Sequence, residues 1–318
     1  MFLFMDYIFL FLGFVFLMLS GDFLVRGSVS LAGHFKVSKL VVGVVVVSFG
    51  TSAPELVVSL DAAIKGHPDI AIGNVVGSNI ANIALVLGLT AIILPVKVKK
   101  RAIHFDWAVM MSISLLLYIF CLNLTLQTYE GSILLIILGA FIFRSIHKSR
   151  KEHSSSLEEP VPPTHKLFVS FVLVVVAAVG LIFGAEFLVK GASNIALRFG
   201  VDERIISVSV IALGTSLPEL ATSIAAAVRK ELDIFIGNII GSNIFNILAI
   251  LGITSIFKNI DINPMILKFD IFWMLGISLL LFLFILPLRN GAVTRWKGLV
   301  FVSVYFLYIY LAFTTGLI

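Results

Sequence analysis

The stretch GTSAPELVVS at residues 50–59 returns almost unchanged as GTSLPELATS at residues 214–223. Each copy carries a Gly, two hydroxyl side chains, a Pro and a Glu within six residues, inside a long apolar run. Pro lacks the N–H that a helix needs, and its ring crowds the carbonyl four residues back. Each stretch therefore predicts a break in a helix. A break within lipid is tolerated only where protein or a water-filled cavity surrounds it.

The composition is that of a protein that crosses a membrane many times. Apolar residues make up 59% of the chain and charged residues 13%, with a mean hydropathy of +1.11. Soluble domains average about 45–50% and 25% respectively. A membrane-spanning helix needs about 20 apolar residues. Ten candidate spans follow: 2–20, 39–63, 70–95, 105–126, 131–146, 167–187, 205–228, 234–256, 269–288 and 296–315.

The basic residues predict the orientation of the chain. With the hydrophilic segment 147–166 in the cytoplasm, 17 of the 23 Lys and Arg residues fall on that side and 6 on the other. Positive charge favours the cytoplasmic side of a membrane. We therefore expect a multi-pass protein of the cell membrane with both termini outside. The net charge of +5 needs no nucleic-acid partner to explain it.

The two halves of the chain are copies of each other. Adding 164 to a residue number carries the first half onto the second, and 22 of the 39 positions from Gly50 to Gly88 are identical to their counterparts. Each half holds five spans, an odd number, so the second copy must enter the membrane in the opposite direction. The sequence predicts an all-α integral membrane protein of ten helices in two inverted five-helix repeats, with helices 2 and 7 broken. The repeats are 1–146 and 167–318, joined by a short cytoplasmic linker at 147–166, and such repeats hold their site between them near the midplane.

Glu55 and Glu219 are the acidic residues that we expect deepest in the membrane. A carboxylate there costs about 2.5–3.5 kcal/mol on insertion scales and is functional by default. The alternative is a Pro kink whose Glu is protonated or hydrogen-bonded to another helix. The symmetric repetition of the motif favours a functional pair.

A second repeated motif, GNVVGSNIAN at 73–82 and GNIIGSNIFN at 237–246, follows each Glu motif. Asn74, Ser78 and Asn82 recur every four residues and so share one helix face. Small and polar residues also serve simply to pack helices together. Combined with the carboxylates, however, they predict a pocket of carboxylate, amide, hydroxyl and carbonyl oxygens, which suits a hard cation such as calcium. Softer metals would need Cys or His, and we expect no cofactor.

Charge balance indicates what such a pocket could do. Two carboxylates neutralise one divalent ion, or two or more monovalent ions. A pocket that holds either set but not both fits obligatory exchange. We expect that occupancy neutralises Glu55 and Glu219 and so permits switching between two access states.

These blocks resemble the alpha-repeats of the sodium/calcium exchanger family in its compact prokaryotic form, at about 48–88 and 212–252. The resemblance implies a calcium/sodium antiporter of the prokaryotic cytoplasmic membrane. It also implies ion ligands at Thr51, Ser52, Glu55, Ser78 and Asn82 in the first half and at Thr215, Ser216, Glu219, Ser242 and Asn246 in the second. Well-known members carry Asp where this chain has Asn246, which removes one potential negative charge. Calcium coordination by two Glu residues survives that change.

Two other functions remain open at this stage. In calcium/proton exchange, Glu55 and Glu219 would load protons in place of sodium. A cation channel would also use Glu and Asn, although a pocket made once by two halves fits a channel less well than an antiporter does. The expected partners are the transported ions and the lipid bilayer. The pocket is complete within one chain, so no obligate protein partner is implied.

Overall fold

The computed structural model describes residues 2–98, 105–155, 162–199, 214–286 and 292–314, and most of them are helical. The helices are α1 (Phe2–Phe35), α2 (Lys39–Thr51), α3 (Ala53–Ile64), α4, α5 (Trp107–Phe120), α6 (Thr128–Ser155), α7 (Leu167–Arg198), α8 (Leu217–Val228), α9 (Leu232–Phe257), α10 (Ile266–Ile285) and α11 (Arg295–Thr314). Helix α4 consists of Pro68–Ala81, a π-helical turn Asn82–Leu87, and Gly88–Ile93. The strands are β1 (Val96–Lys97), β2 (Thr125–Leu126), β3 (Ile260–Asp261) and β4 (Ala292–Val293).

Seven of the described helices are long and apolar enough to cross a membrane, and the number is eight when α2 and α3, which meet at a bend of 46°, are counted as one span. Helices α5 and α8 are apolar but shorter over the residues described. The protein is therefore an all-helical membrane protein. The predicted span 205–228 lies only partly within the described residues, which resume at 214.

Three helices are longer than the sequence pattern predicted. Helix α1 continues to Phe35, beyond the predicted end at residue 20, and α7 continues to Arg198, beyond residue 187. The charges that ended the first predicted span are accommodated on the helix surface, where Arg26 and Asp22 form an ion pair of 2.8 Å one turn apart. Helix α6 likewise extends to Ser155, into the segment predicted as a linker.

The secondary structure repeats at the same offset of 164 residues as the sequence. Helix α8 has the bounds of α3 moved by 164, and β3 has those of β1. Helix α9 consists of Leu232–Phe245, a π-helical turn Asn246–Leu251, and Gly252–Phe257, and each part has the bounds of its counterpart in α4 moved by 164. The packing follows the same rule, since α11 packs on α4 and α6 packs on α9. Strands are exchanged between the halves: β1 pairs with β4, and β2 with β3, both antiparallel.

Helix α9 lies at the centre of the molecule. All residues from Ile234 to Phe245 are buried, and α9 packs against α2, α4, α6 and α8. Two glycines let α2 come into backbone contact with it. A Cβ added at Gly237 would lie 2.5 Å from the Leu40 carbonyl oxygen, and one at Gly241 would lie 2.6 Å from that of Val44. This is the close approach that a GxxxG step permits, and it brings the break at the end of α2 beside α9.

Candidate ion-binding site

The helix break predicted in the first half is present, at Ser52. In the second half the described residues show a helix that begins at the equivalent position, after Ser216. Helix α2 ends at Thr51, Ser52 leaves the helical region with φ −85° and ψ 8°, and α3 begins with Pro54 in its first turn. Ser216 has φ −85° and ψ 0° and precedes α8, which also has its Pro in the first turn. Because Pro has no N–H to continue the ladder, the break opens the backbone immediately before a Glu.

Glu55 and Glu219 lie in the first turns of α3 and α8, and neither side chain is exposed at all. Helix N-termini carry partial positive charge, which favours a carboxylate there. The Glu219 carboxyl group lies against the break that precedes Glu55, since it accepts a hydrogen bond from Ser52, three residues before Glu55. The structure thus brings the two predicted acidic residues together in the interior, each at the start of a short helix.

Hydroxyl groups surround the Glu219 carboxyl. Ser52, at the break of the first half, donates a hydrogen bond from Oγ to Oε1 of Glu219 at 3.1 Å. Thr51, the residue before Ser52, also contributes a buried hydroxyl here. The same Thr51 hydroxyl lies 3.1 Å from Oδ1 of Asn238 and 3.4 Å from Oγ of Ser242. Residues of both halves therefore build one polar cluster.

Many polar atoms of this cluster have no hydrogen-bond partner within the described part of the chain. They are both carboxylate oxygens of Glu55, Oε2 of Glu219, both amide atoms of Asn82, Oδ1 of Asn246 and Oγ of Ser216. All these atoms are buried, and a buried polar atom without a partner costs free energy. Five of the ten predicted ligand residues thus present unsatisfied atoms, which indicates a site built to receive something polar or charged.

The remaining predicted ligands fall near these groups in sequence but differ in burial. Ser78 is buried on α4, and Thr215 is half-buried beside the second break. Asn74, which shares a predicted face with Ser78, instead joins two helices by donating to the Glu55 carbonyl oxygen at 3.3 Å and to Ser59 Oγ at 3.0 Å.

Two asparagines that contact the predicted ligands were not themselves predicted as ligands. Asn79 accepts a hydrogen bond from Nδ2 of Asn246 at 3.0 Å, and Asn238 contacts Thr51. Both belong to the repeated GNxxGSN motif, but Asn79 lies next to Ser78 in sequence and so falls off the predicted ligand face. An Asn buried in an apolar helix was the signal available.

The donor set is made of oxygen and nitrogen atoms. Among the residues that the structure describes, no group of three or more His, Cys, Asp or Glu side chains converges as a metal cluster would. The acidic part of the site is the pair Glu55 and Glu219. Carboxylate, hydroxyl and amide oxygens are ligands for hard cations such as calcium. Fold and site together define a polytopic membrane protein with a buried acidic centre, a feature of ion transporters.

Comparison with known proteins gives the family. A family model described as "Sodium/calcium exchanger protein" matches residues 5–147 and 169–314. The chain belongs to the sodium/calcium exchanger family.

Individual relatives resemble this chain over nearly its whole length. It is 35% identical to the "Putative antiporter CaxA" of Alkalimonas amylolytica, across 93% of this chain and 95% of that protein. It is 29% identical to the "Sodium/calcium exchanger MaX1" of Methanosarcina acetivorans, across 92% and 94%. A solved structure of the sodium-calcium exchanger NCX_Mj, soaked with 10 mM Na+ and zero Ca2+, matches with a TM-score of 0.83 and 33% identity, across 96% of this chain and 98% of that one.

Proposed function

We propose that this protein is a secondary antiporter that exchanges calcium for sodium across the prokaryotic cytoplasmic membrane by alternating access. The observation that carries the proposal is the fully buried pair Glu55 and Glu219, whose carboxylate oxygens are largely unpartnered. Two buried like charges are costly without compensation, and bound cations supply that compensation. The names of the relatives support the choice of ions, since MaX1 and NCX_Mj are both described as sodium/calcium exchangers.

The proposed ligands are the ten residues that the sequence predicted. Glu55 and Glu219 supply the charge. Neutral oxygens come from the two breaks, at Thr51, Ser52, Thr215 and Ser216, and from α4 and α9, at Ser78, Asn82, Ser242 and Asn246. Calcium takes 6–8 oxygen ligands at about 2.3–2.6 Å, so a subset of this set suffices for one ion.

Exchange follows from charge balance at this pair. One calcium ion neutralises two carboxylates, and so do two sodium ions, and either set would occupy the same oxygens. Occupancy by one set therefore excludes the other. When the site is empty, the two carboxylates repel each other, and this repulsion opposes occlusion of the site. Only a carrier with bound ions therefore switches between the two access states.

The proposed architecture is ten spans in two inverted repeats, 1–146 and 167–318, joined by a cytoplasmic linker at 147–166, with both termini outside. The repeated element bounds and the exchange of strands between the halves support a two-fold relation. A two-fold axis in the membrane plane would present each break to the midplane from an opposite face.

The purified protein in liposomes tests the function. Vesicles loaded with sodium are diluted into sodium-free medium containing radioactive calcium, and uptake is compared with vesicles that carry a pH gradient alone. We expect uptake under the sodium gradient and none in the Glu55→Gln variant. Uptake driven by the pH gradient alone would establish calcium/proton exchange instead, and calcium flux without any counter-ion would establish a channel.

A further inference from the structure

Asn79 joins the two halves of the molecule at the edge of the candidate site. Its Nδ2 donates to the backbone carbonyl oxygen of Asn243 at 3.2 Å, and its Oδ1 accepts from Nδ2 of Asn246 at 3.0 Å. The Asn79 side chain is only 1% exposed, so water does not compete for either bond. Asn79 belongs to the first half, and both of its partners belong to the second.

These two bonds have a fixed direction. A backbone carbonyl can only accept a hydrogen bond, so Asn79 must turn its NH2 group toward Asn243. That leaves the Asn79 oxygen for Asn246, which must in turn present its own NH2 group. The amide oxygen of Asn246 then faces the other way, where it is buried and has no partner among the described residues.

The free oxygen lies on the part of α9 that borders the acidic pair. Asn246 begins the π-helical turn Asn246–Leu251, and this turn packs against α3, whose first turn carries Glu55. Reversing the Asn246 amide would set its oxygen against the Asn79 oxygen and would direct an NH2 group, which cannot bind a cation, into the site.

We propose that Asn79 is a positioning residue that holds the Asn246 amide with its oxygen toward the cation. This inference rests on the proposed function, in which Asn246 is a ligand. Position 246 thereby supplies a fixed neutral oxygen. The Asn243 backbone carbonyl orients the Asn79 amide, and the Asn79 amide in turn orients that of Asn246.

The equivalent position in the other half behaves differently. Asn243 occupies the place of Asn79 in its motif, but its Nδ2 donates to Ile239 in its own helix at 2.7 Å. The residue equivalent to Asn246 in the first half is Asn82. Its amide oxygen and nitrogen both lack a partner among the described residues. Asn243→Leu is therefore a matched control, because it keeps the backbone carbonyl that Asn79 contacts and removes a side chain of the same type, burial and motif position that makes no positioning contact.

The test is a double-mutant cycle on Asn79 and Asn246, with calcium affinity measured by titration calorimetry on purified protein and as the apparent KM in liposomes. Replacing an outer partner of a metal ligand costs about 10–100-fold in affinity, and we expect a loss in that range for Asn79→Leu. Asn243→Leu should change the affinity by less than about 3-fold, well below that range. In the Asn246→Ala background, Asn79→Leu should have no further effect, because the group that it orients is gone.

Multiplicative effects of the two substitutions would overturn the proposal, since independent roles add in free energy. Equal losses in the Asn79→Leu and Asn243→Leu variants would overturn it as well. If Asn79→Leu does not fold, Asn79→Ala removes both contacts without adding bulk. Failure of the proposed function shows separately, as a lack of sodium-driven calcium uptake by the unsubstituted protein.

Discussion

Ser52 in the first half donates a hydrogen bond to Glu219 in the second half, with 3.1 Å between Oγ and Oε1. Its counterpart Ser216, at the other break, has a buried Oγ without a partner among the described residues. Two serines at equivalent positions therefore differ in their hydrogen bonding, although both are proposed ligands.

This difference predicts unequal effects on stability in the absence of ions. Ser52→Ala removes a hydrogen bond to a buried carboxylate, and such bonds contribute about 1.5–3 kcal/mol. Ser216→Ala removes an unsatisfied hydroxyl and should leave the ion-free protein as stable as before or slightly more stable. Melting temperatures in calcium- and sodium-free detergent solution check this prediction. Equal shifts in both variants would contradict the hydrogen-bond pattern.

Removing one charge of the acidic pair should weaken calcium binding and also relieve repulsion. We expect Glu55→Gln or Glu219→Gln to lower calcium affinity by at least about 100-fold, or about 2.7 kcal/mol, and to raise the melting temperature of the ion-free protein. Calorimetry and thermal melts measure the two effects. Glu130→Gln is the control, because Glu130 is buried but accepts its hydrogen bonds from the Gln127 backbone N–H and the Tyr129 hydroxyl, neither of which belongs to the site. A Glu55→Gln variant that binds calcium normally would show that the pair is not the site.

Removal of bound calcium should lower the melting temperature of the protein. A ligand at 100 times its Kd stabilises the folded state by about 2.7 kcal/mol, so a calcium chelator should lower the melting temperature of the loaded protein. Sodium should raise the apparent Kd for calcium if the two ions share the same oxygens. A calcium affinity that is independent of sodium concentration would argue against mutually exclusive occupancy.

An ion pair that joins α1 to α7, with none of the proposed ligands in it, should matter for stability. Asp6 near the start of α1 is 3% exposed and accepts from Arg198 and Asn194 near the end of α7, each at 2.9 Å. Asp6→Ala leaves both donors without their partner and should cost about 1–3 kcal/mol. Asp61→Ala is the matched control, because Asp61 and Lys65 form an exposed pair one turn apart, and such pairs contribute about 0.2–1 kcal/mol. Equal melting temperatures for the two variants would contradict this assignment.

The contact between α2 and α9 depends on glycine. Gly241→Ala would place a Cβ 2.6 Å from the Val44 carbonyl oxygen, so the helices must separate, at a cost of about 1–3 kcal/mol. Gly139→Ala is the control, since a Cβ there meets nothing within 4 Å among the described residues, and Ala favours a helix over Gly by about 0.5–1 kcal/mol. Opposite shifts in melting temperature are expected, and a neutral Gly241→Ala would contradict the backbone contact.

Much of this site follows from local sequence chemistry. A Pro inside an apolar run must break a helix, and a Glu beside it must find compensation, so the break at Ser52 and the two buried carboxylates could be predicted from residues 50–59 and their copy. We expected Glu55 and Glu219 to lie together because the sequence predicts a duplication with an odd number of spans per half.

Other features depend on tertiary contacts that a sequence pattern does not contain. Asp22 lies beyond the predicted end of the first span, yet α1 continues through it, and its carboxyl group pairs with Arg229 of the other half as well as with Arg26 one turn away. The two halves share a motif, but Asn79 bonds across to the other half while Asn243 bonds within its own helix. Such differences between equivalent residues arise from how the halves are placed against each other in one state.

The exchanged strands have a consequence for biosynthesis. Val96 in β1 pairs with Val293 in β4, and Thr125 in β2 pairs with Asp261 in β3. Most of the polypeptide has been synthesised before either of these two strand pairs can form. The strands of the N-terminal half therefore stay unpaired in the membrane until β3 and β4 have been synthesised.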